Sequence, residues 1–146
     1  MYFQRQWFEI VDAAPKDIVA RCRYWDRAGS QATAKNKNPD WTAGLLLSKD
    51  GRGIYYVEDI RRMQQSAHTV EQAMINTAKQ DPPGTICAFM QDPGSAGLGE
   101  AQATARALAG YVVRYAPATG DKETRAKPAS SQARRRCGKT QASAPR

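Results

Sequence analysis

Asp92 stands at the end of a short apolar run, Ile86-Cys87-Ala88-Phe89-Met90-Gln91, and is followed by Pro93-Gly94-Ser95-Ala96-Gly97. The run has the length and content of a buried strand. Pro-Gly stops a strand and turns the chain. An Ala-rich helical pattern follows over residues 96–109. Strand, tight turn and helix leave one carboxylate at the carboxyl end of the strand, the place where open α/β sheets bind ligands. A carboxylate there can also do no more than accept hydrogen bonds from the turn and the helix start. The glycine-rich turn has neither the Lys-Ser/Thr of a P-loop nor the G-x-G-x-x-G spacing, so a phosphate cradle has little support.

A second acid sits in a matching place. Residues 18–25 alternate loosely, are rich in strand formers and end at Asp26, just before Gly29-Ser30. A polar loop over residues 31–39 separates them from a second apolar run at 43–47, which Asp40-Trp41-Thr42 opens. Asp50-Gly51 centres a hairpin loop over 48–53, and residues 54–60 form the next strand. Three strands joined by short turns make an antiparallel meander. Ser66 then reads as an N-cap, with Val70, Met74, Ile75 and Ala78 on one helical face until Asp81-Pro82-Pro83-Gly84 stops the helix. After the strand–turn–helix of Asp92, Gly110 serves as a C-cap, residues 111–115 form a fifth strand, 119–122 a turn, and 123–134 a helix weakened by Pro128. The order β-β-β-α-β-α-β predicts an α/β fold with a mixed five-stranded sheet, an antiparallel meander followed by parallel crossovers, in the layout of ribonuclease-H-like domains.

In that layout the first and fourth strands are parallel neighbours, so Asp26 and Asp92 meet at one edge. Two carboxylates brought together repel unless a cation lies between them. Hard oxygen ligands suit Mg²⁺ or Mn²⁺. Such ions can stabilise both the attacking and the leaving oxygen of a phosphodiester, which points to metal-assisted hydrolysis of nucleic acid. Asp40 is a tentative further metal residue, since it starts the neighbouring strand. Glu58 and Asp59 read as exposed partners of Arg61 and Arg62. His68, the one histidine, reads as a surface residue at a helix start, with no triad built on it.

At 146 residues the chain is one domain by length, and it can bury a sizeable core. It has no apolar run of 18 residues and no signal-peptide layout, so neither a membrane nor a secretory route is indicated. Cys22, Cys87 and Cys137 make no metal-ligand or disulfide spacing, which fits a reducing, cytoplasmic setting. The net charge is +8, of which the acid-free segment after Glu123 carries +7. Lys122, Arg125, Arg134, Arg135 and Arg136 are candidate DNA contacts through phosphate. The alternative for the end of the chain is a solvated, disordered tail. The expected organisation is an aromatic docking segment of a helical turn or two within 1–15, a domain over 16–132, and a basic tail over 133–146.

Several stretches taken together resemble the C-terminal nuclease domain of the large terminase subunit of tailed bacteriophages. They are Trp7-Phe8 and Pro15, Arg23-Tyr24-Trp25-Asp26, Asp40-Trp41-Thr42-Ala43-Gly44, the run from Tyr56 through Arg62, Gln91 through Gly97, and Thr119 through Ala126. The resemblance spans about residues 7–132. It implies a divalent-metal endonuclease that cuts concatenated double-stranded phage DNA during packaging in a bacterial cell, alongside other terminase or portal components. It also implies that Asp26 and Asp92 are catalytic, metal-binding acids. Two departures stand out. The packaging ATPase domain, which precedes this one in the family, has no counterpart in these 146 residues and is expected to be absent. The third catalytic acid, which the family carries on a later helix beyond another strand, has no counterpart in the acid-free ARRRCGKTQASAPR. A truncated prophage remnant with a shifted reading frame is the expectation this raises. The alternative is a non-catalytic fragment that binds DNA or packaging components through its basic end.

Overall fold

The computed structural model describes residues 2–28, 33–135 and 138–141, with backbone alone for Arg135 and the last four. After a single 3₁₀ turn, Arg5–Trp7, come β1 (Phe8–Val11), β2 (Ile18–Asp26), β3 (Thr42–Asp50), β4 (Tyr55–Met63) and α1 (Ala67–Gln80). β5 (Ile86–Gln91), α2 (Gly94–Ala107), β6 (Val112–Pro117), α3 (Lys122–Arg135) and β7 (Gly138–Gln141) complete the order. Among the described residues one sheet runs β1-β7-β4-β3-β2-β5-β6. The five predicted strands are β2 to β6, and they lie in the order β4-β3-β2-β5-β6. β5 is parallel to both β2 and β6, as helical crossovers require. The fold is the expected α/β arrangement of a mixed sheet with helices.

Three expectations need correction at the level of elements. The aromatic N-terminal segment is a strand after its one 3₁₀ turn, because residues 8–11 pair in parallel with residues 138–141. The meander strands run further than their apolar centres. β3 reaches Asp50 and β4 reaches Met63, so the predicted 48–53 loop shrinks to a turn at Gly51 and Arg52. Residues 138–141, which show no strand pattern, form β7. It lies between β1 and β4, parallel to both, so its partners define it rather than its own side chains.

The chain divides into two compact units. The first comprises the described parts of Cys22–Leu45 and Ile60–Ala118. Its core is Trp25, Val70, Met74, Cys87, Phe89, Ala101 and Leu108, with Met63, Ile75, Ala78 and Val113 packed against it. The predicted face of α1 is therefore its buried face. Each fully buried side chain of this size contributes about 1.5–3 kcal/mol. Ser66 caps α1 as expected, its Oγ accepting the Thr69 N–H at 3.2 Å. Arg23, 1% exposed, donates to both oxygens of Asp81 at 2.9 and 2.6 Å, which ties β2 to the residue that ends α1.

The second unit comprises the described parts of Met1–Arg21, Leu46–Asp59 and Thr119–Arg146. Its hairpin closes on Asp50, 1% exposed, whose carboxylate accepts from Arg52 N at 3.0 Å, Ile54 N at 2.9 Å and the Tyr56 hydroxyl at 3.0 Å. Glu58 pairs with Arg21 at 2.9 Å, a cross-strand contact in place of the predicted pairing within its own strand. Tyr2 meets α3 twice: its hydroxyl donates to Glu123 at 3.0 Å, and its carbonyl accepts from the Ser130 hydroxyl.

Candidate active site

β2 and β5 run side by side in the first unit with Trp25 opposite Phe89. Asp26 is the last residue of β2 and Asp92 the first after β5, so both acids stand at the carboxyl ends of adjacent parallel strands. Both are exposed. Trp25 and Phe89 are buried in the core, so strand alternation turns Asp26 to the opposite face. Asp40 is exposed and lies two residues before Thr42. The Thr42 hydroxyl bridges the N–H and carbonyl of Ala28, at 2.8 and 2.9 Å, just beyond Asp26. The start of β3 is thereby fixed beside the end of β2, and Asp40 falls at the same end of the unit as the other two acids.

Two residues that sequence reasoning missed hold this end together. Arg27 follows Asp26, and its guanidinium lies 4.7 Å from the Phe89 ring centre. It donates to Thr104 Oγ1 at 3.1 Å and to the Met90 carbonyl at 3.5 Å, and it pairs with Glu100 at 3.4 Å. One side chain thus ties the end of β2 to the end of β5 and to α2. The second residue is Gly97. A Cβ there would lie 2.1 Å from the Asp92 carbonyl oxygen and 2.6 Å from its carbon, a collision with backbone. Gly97 lets the first turn of α2 pack directly on the residue that carries the carboxylate. The sequence puts Arg27 next to Asp26 and Gly97 five residues after Asp92, but neither spacing shows which elements the two residues join.

The donor set suits a hard cation in part. Two exposed carboxylates can hold an ion that keeps several of its waters. Among the described residues no group of three His, Cys, Asp or Glu side chains is placed to hold a metal, so Asp40 is not drawn into a three-ligand cluster.

The candidate DNA contacts lie in the other unit. Lys122 and Arg125 are in the first turn of α3, where the Asp121 carboxylate accepts the Thr124 N–H at 2.6 Å. That bond holds the Asp121 carboxyl below its usual value. Arg134 is exposed near the end of the helix. The Arg135 side chain and all of Arg136 lie outside the described residues, as does Cys137. His68 is exposed in the first turn of α1, as expected of a surface residue.

A mixed sheet in this strand order, with crossover helices and two acids at neighbouring parallel strand ends, defines a domain of the ribonuclease-H-like class. Residues 23–140 match the family described as a terminase RNaseH-like domain, and the chain belongs to that family. No curated protein matches the chain. The matched span contains Asp26, Asp40, Asp92 and all of the candidate basic residues. Among the described residues no helix is long and apolar enough to cross a membrane.

Proposed function

We propose that this domain is the nuclease part of a terminase, a Mg²⁺- or Mn²⁺-dependent endonuclease acting on concatenated double-stranded DNA during packaging. The observation that carries the reading is the pair Asp26 and Asp92 at the ends of β2 and β5, in a chain of the terminase RNaseH-like family. In this reading both carboxylates hold the cation, and Asp40 stands at the same end of the unit, at the start of β3, without being a third ligand. When bound, such an ion supplies Lewis-acid stabilisation of the charge that develops on a phosphodiester. Arg27 keeps the two strand ends in register. Lys122, Arg125 and Arg134 to Arg136 neutralise phosphates and hold the duplex.

Two carboxylates bind an ion loosely, and a two-ion centre needs further anionic ligands. We therefore expect these 146 residues to cleave weakly and only at high Mn²⁺. The test is nicking of supercoiled plasmid with Mn²⁺, comparing the chain with Asp26→Asn and Asp92→Asn. The expected result is slow nicking that both substitutions reduce to background. Nicking that survives both substitutions overturns the assignment of the pair.

The second reading is a non-catalytic fragment that binds DNA or packaging components through its basic end. It is favoured by the lack of a three-acid cluster among the described residues and by the +7 carried after Glu123. Metal-independent DNA binding with no nicking at any Mn²⁺ concentration would select it.

A further inference from the structure

In the first unit, three strands turn side chains onto the sheet face away from α1. Trp25 lies in the core, so Asp26 of β2 turns the other way. Gly44 of β3 lies against the Trp25 ring, so Trp41, three residues earlier, falls on the opposite face. Arg61 bonds to Thr77 of α1 and Met63 packs on the core, which puts Arg62 of β4 on that opposite face as well. The start of β3 lies beside the end of β2, so Trp41 and Arg62 share the end of the unit that carries Asp26 and Asp92.

Trp41 is 47% exposed, yet it is held from three directions. The Arg62 guanidinium lies 4.2 Å from its ring centre. Two residues before it, Pro39 is buried and its carbonyl accepts from Gln64 Nε2 at 2.6 Å. One residue after it, the Thr42 hydroxyl bridges the backbone of Ala28. A ring fixed in this way, with a guanidinium on one face and about half its surface in water, offers its other face to a flat partner without further ordering cost. Cations flank it. Arg62 is itself exposed, and so are Lys35 and Lys37 in the loop that leads to Trp41. An aromatic ring among cations is the combination that binds single-stranded nucleic acid: a base stacks on the ring while the cations meet phosphates. In an intact duplex the base faces are already stacked on one another, so only an unpaired base can lie on the ring. The flanking cations favour a polyanion over an apolar peptide as the partner.

We propose that Trp41 is a stacking platform for an unpaired DNA base, with Arg62 behind the ring and Lys35 and Lys37 meeting the neighbouring phosphates. A strand that lies on this ring reaches the end of the sheet where Asp26 and Asp92 stand in unpaired form. That link to cleavage rests on the nuclease reading, and it makes locally opened DNA, rather than intact duplex, the form that is cut.

The test uses the full chain carrying Asp26→Asn, so that no probe is cut, with a short oligo(dT) and an abasic strand of the same length. The abasic strand has the same phosphates and no bases, so it reports the cations, the basic end of the chain included, without the platform. In the ¹⁵N-labelled protein the three tryptophans, Trp7, Trp25 and Trp41, give three indole N–H resonances, and Trp41→Phe identifies one of them. Oligo(dT) is expected to move that resonance saturably, and the abasic strand to leave it in place. By fluorescence anisotropy, Trp41→Ala should weaken oligo(dT) about 10-fold and Trp41→Phe should keep most of the affinity. Both variants should bind the abasic strand and a fully paired duplex as the unsubstituted ring does. Unchanged oligo(dT) affinity in Trp41→Ala overturns the proposal. Equal movement of the Trp41 resonance by the two strands also overturns it, and that comparison needs no variant at the ring to fold. A loss of the same size on duplex overturns it too, since the ring would then serve paired DNA. Binding of oligo(dT) that depends on Trp41, in a protein whose Asp26 form nicks no plasmid, supports the platform and counts against the nuclease reading alone.

Discussion

At the scale of single residues, the packing of Gly97 on Asp92 connects local structure to the candidate site. Alanine is the better helix former by about 1 kcal/mol, so Gly97→Ala would stabilise α2 if space allowed. The 2.1 Å approach to the Asp92 carbonyl oxygen means that backbone must move instead. Overpacking of this kind costs about 1–3 kcal/mol. The variant should unfold at lower temperature, and its Mn²⁺ affinity should fall about 10-fold, the scale seen when support for a metal ligand is disturbed. Gly99→Ala is the control on the same helix, since its Cβ would meet nothing within 4 Å. It should raise stability by about 0.5–1 kcal/mol and leave Mn²⁺ binding unchanged, as thermal melts with and without the ion would register. Equal effects of the two substitutions would mean that Gly97 has no part in positioning Asp92. Asp26 and Asp92 were legible in the sequence because each ends a strand-like run and precedes a turn. Arg27 and Gly97 were not, because their roles depend on which elements pack together rather than on their own neighbours in the chain.

At the scale of elements, the β3–β4 hairpin depends on a buried carboxylate that the sequence presents only as half of an Asp-Gly turn. Burial alone would raise the Asp50 carboxyl. The Ile54 N–H, the Tyr56 hydroxyl and Arg52 offset that effect and hold it below its ordinary value. A carboxyl lowered in the folded state adds stability above its unfolded value, about 3.9, and that stability is lost as pH falls through the folded value. Asp50→Asn should therefore melt well below the parent protein at neutral pH, with the gap narrowing in acid below about pH 4. Melting curves over that range decide it, and a gap independent of pH would refute the link to ionisation. The same hairpin shows why strand ends were misjudged. Apolar alternation marks the middle of β3 and β4, but their ends are fixed by Asp50 at the turn and by Arg61 and Met63 on the buried side. Arg61 donates to Thr77 of α1 at 2.9 Å, so a charged residue extends β4 by bonding to a helix. β7 is the extreme case. Gly138–Gln141 has no pattern of its own, and its pairing with β1 and β4 arises from strands more than eighty residues earlier in the chain.

At the scale of the whole molecule, the two compact units divide the candidate chemistry between them. The acids, Arg27 and Gly97 lie in one, and the basic residues of α3 in the other. Charge follows the same division along the chain, with +1 over residues 1–124 and +7 beyond. If the basic segment grips DNA, binding should weaken steeply with salt and show little preference for sequence. Deleting residues 133–146 would be a poor test, because it also removes β7 and with it the strand between β1 and β4. Substitution is the better course. Arg134→Ala, Arg135→Ala and Arg136→Ala together should lower the slope of log K against log salt by about 0.9 for each phosphate that is no longer neutralised, close to 3 in all. Plasmid nicking by Asp26→Asn should be abolished while its salt slope stays that of the parent, since an acid at the end of β2 contributes nothing to phosphate neutralisation. Fluorescence anisotropy with a duplex of unrelated sequence measures the slope directly. An unchanged slope in the triple variant would assign duplex binding to other cations, with Lys122 and Arg125 in the first turn of α3 the next to substitute.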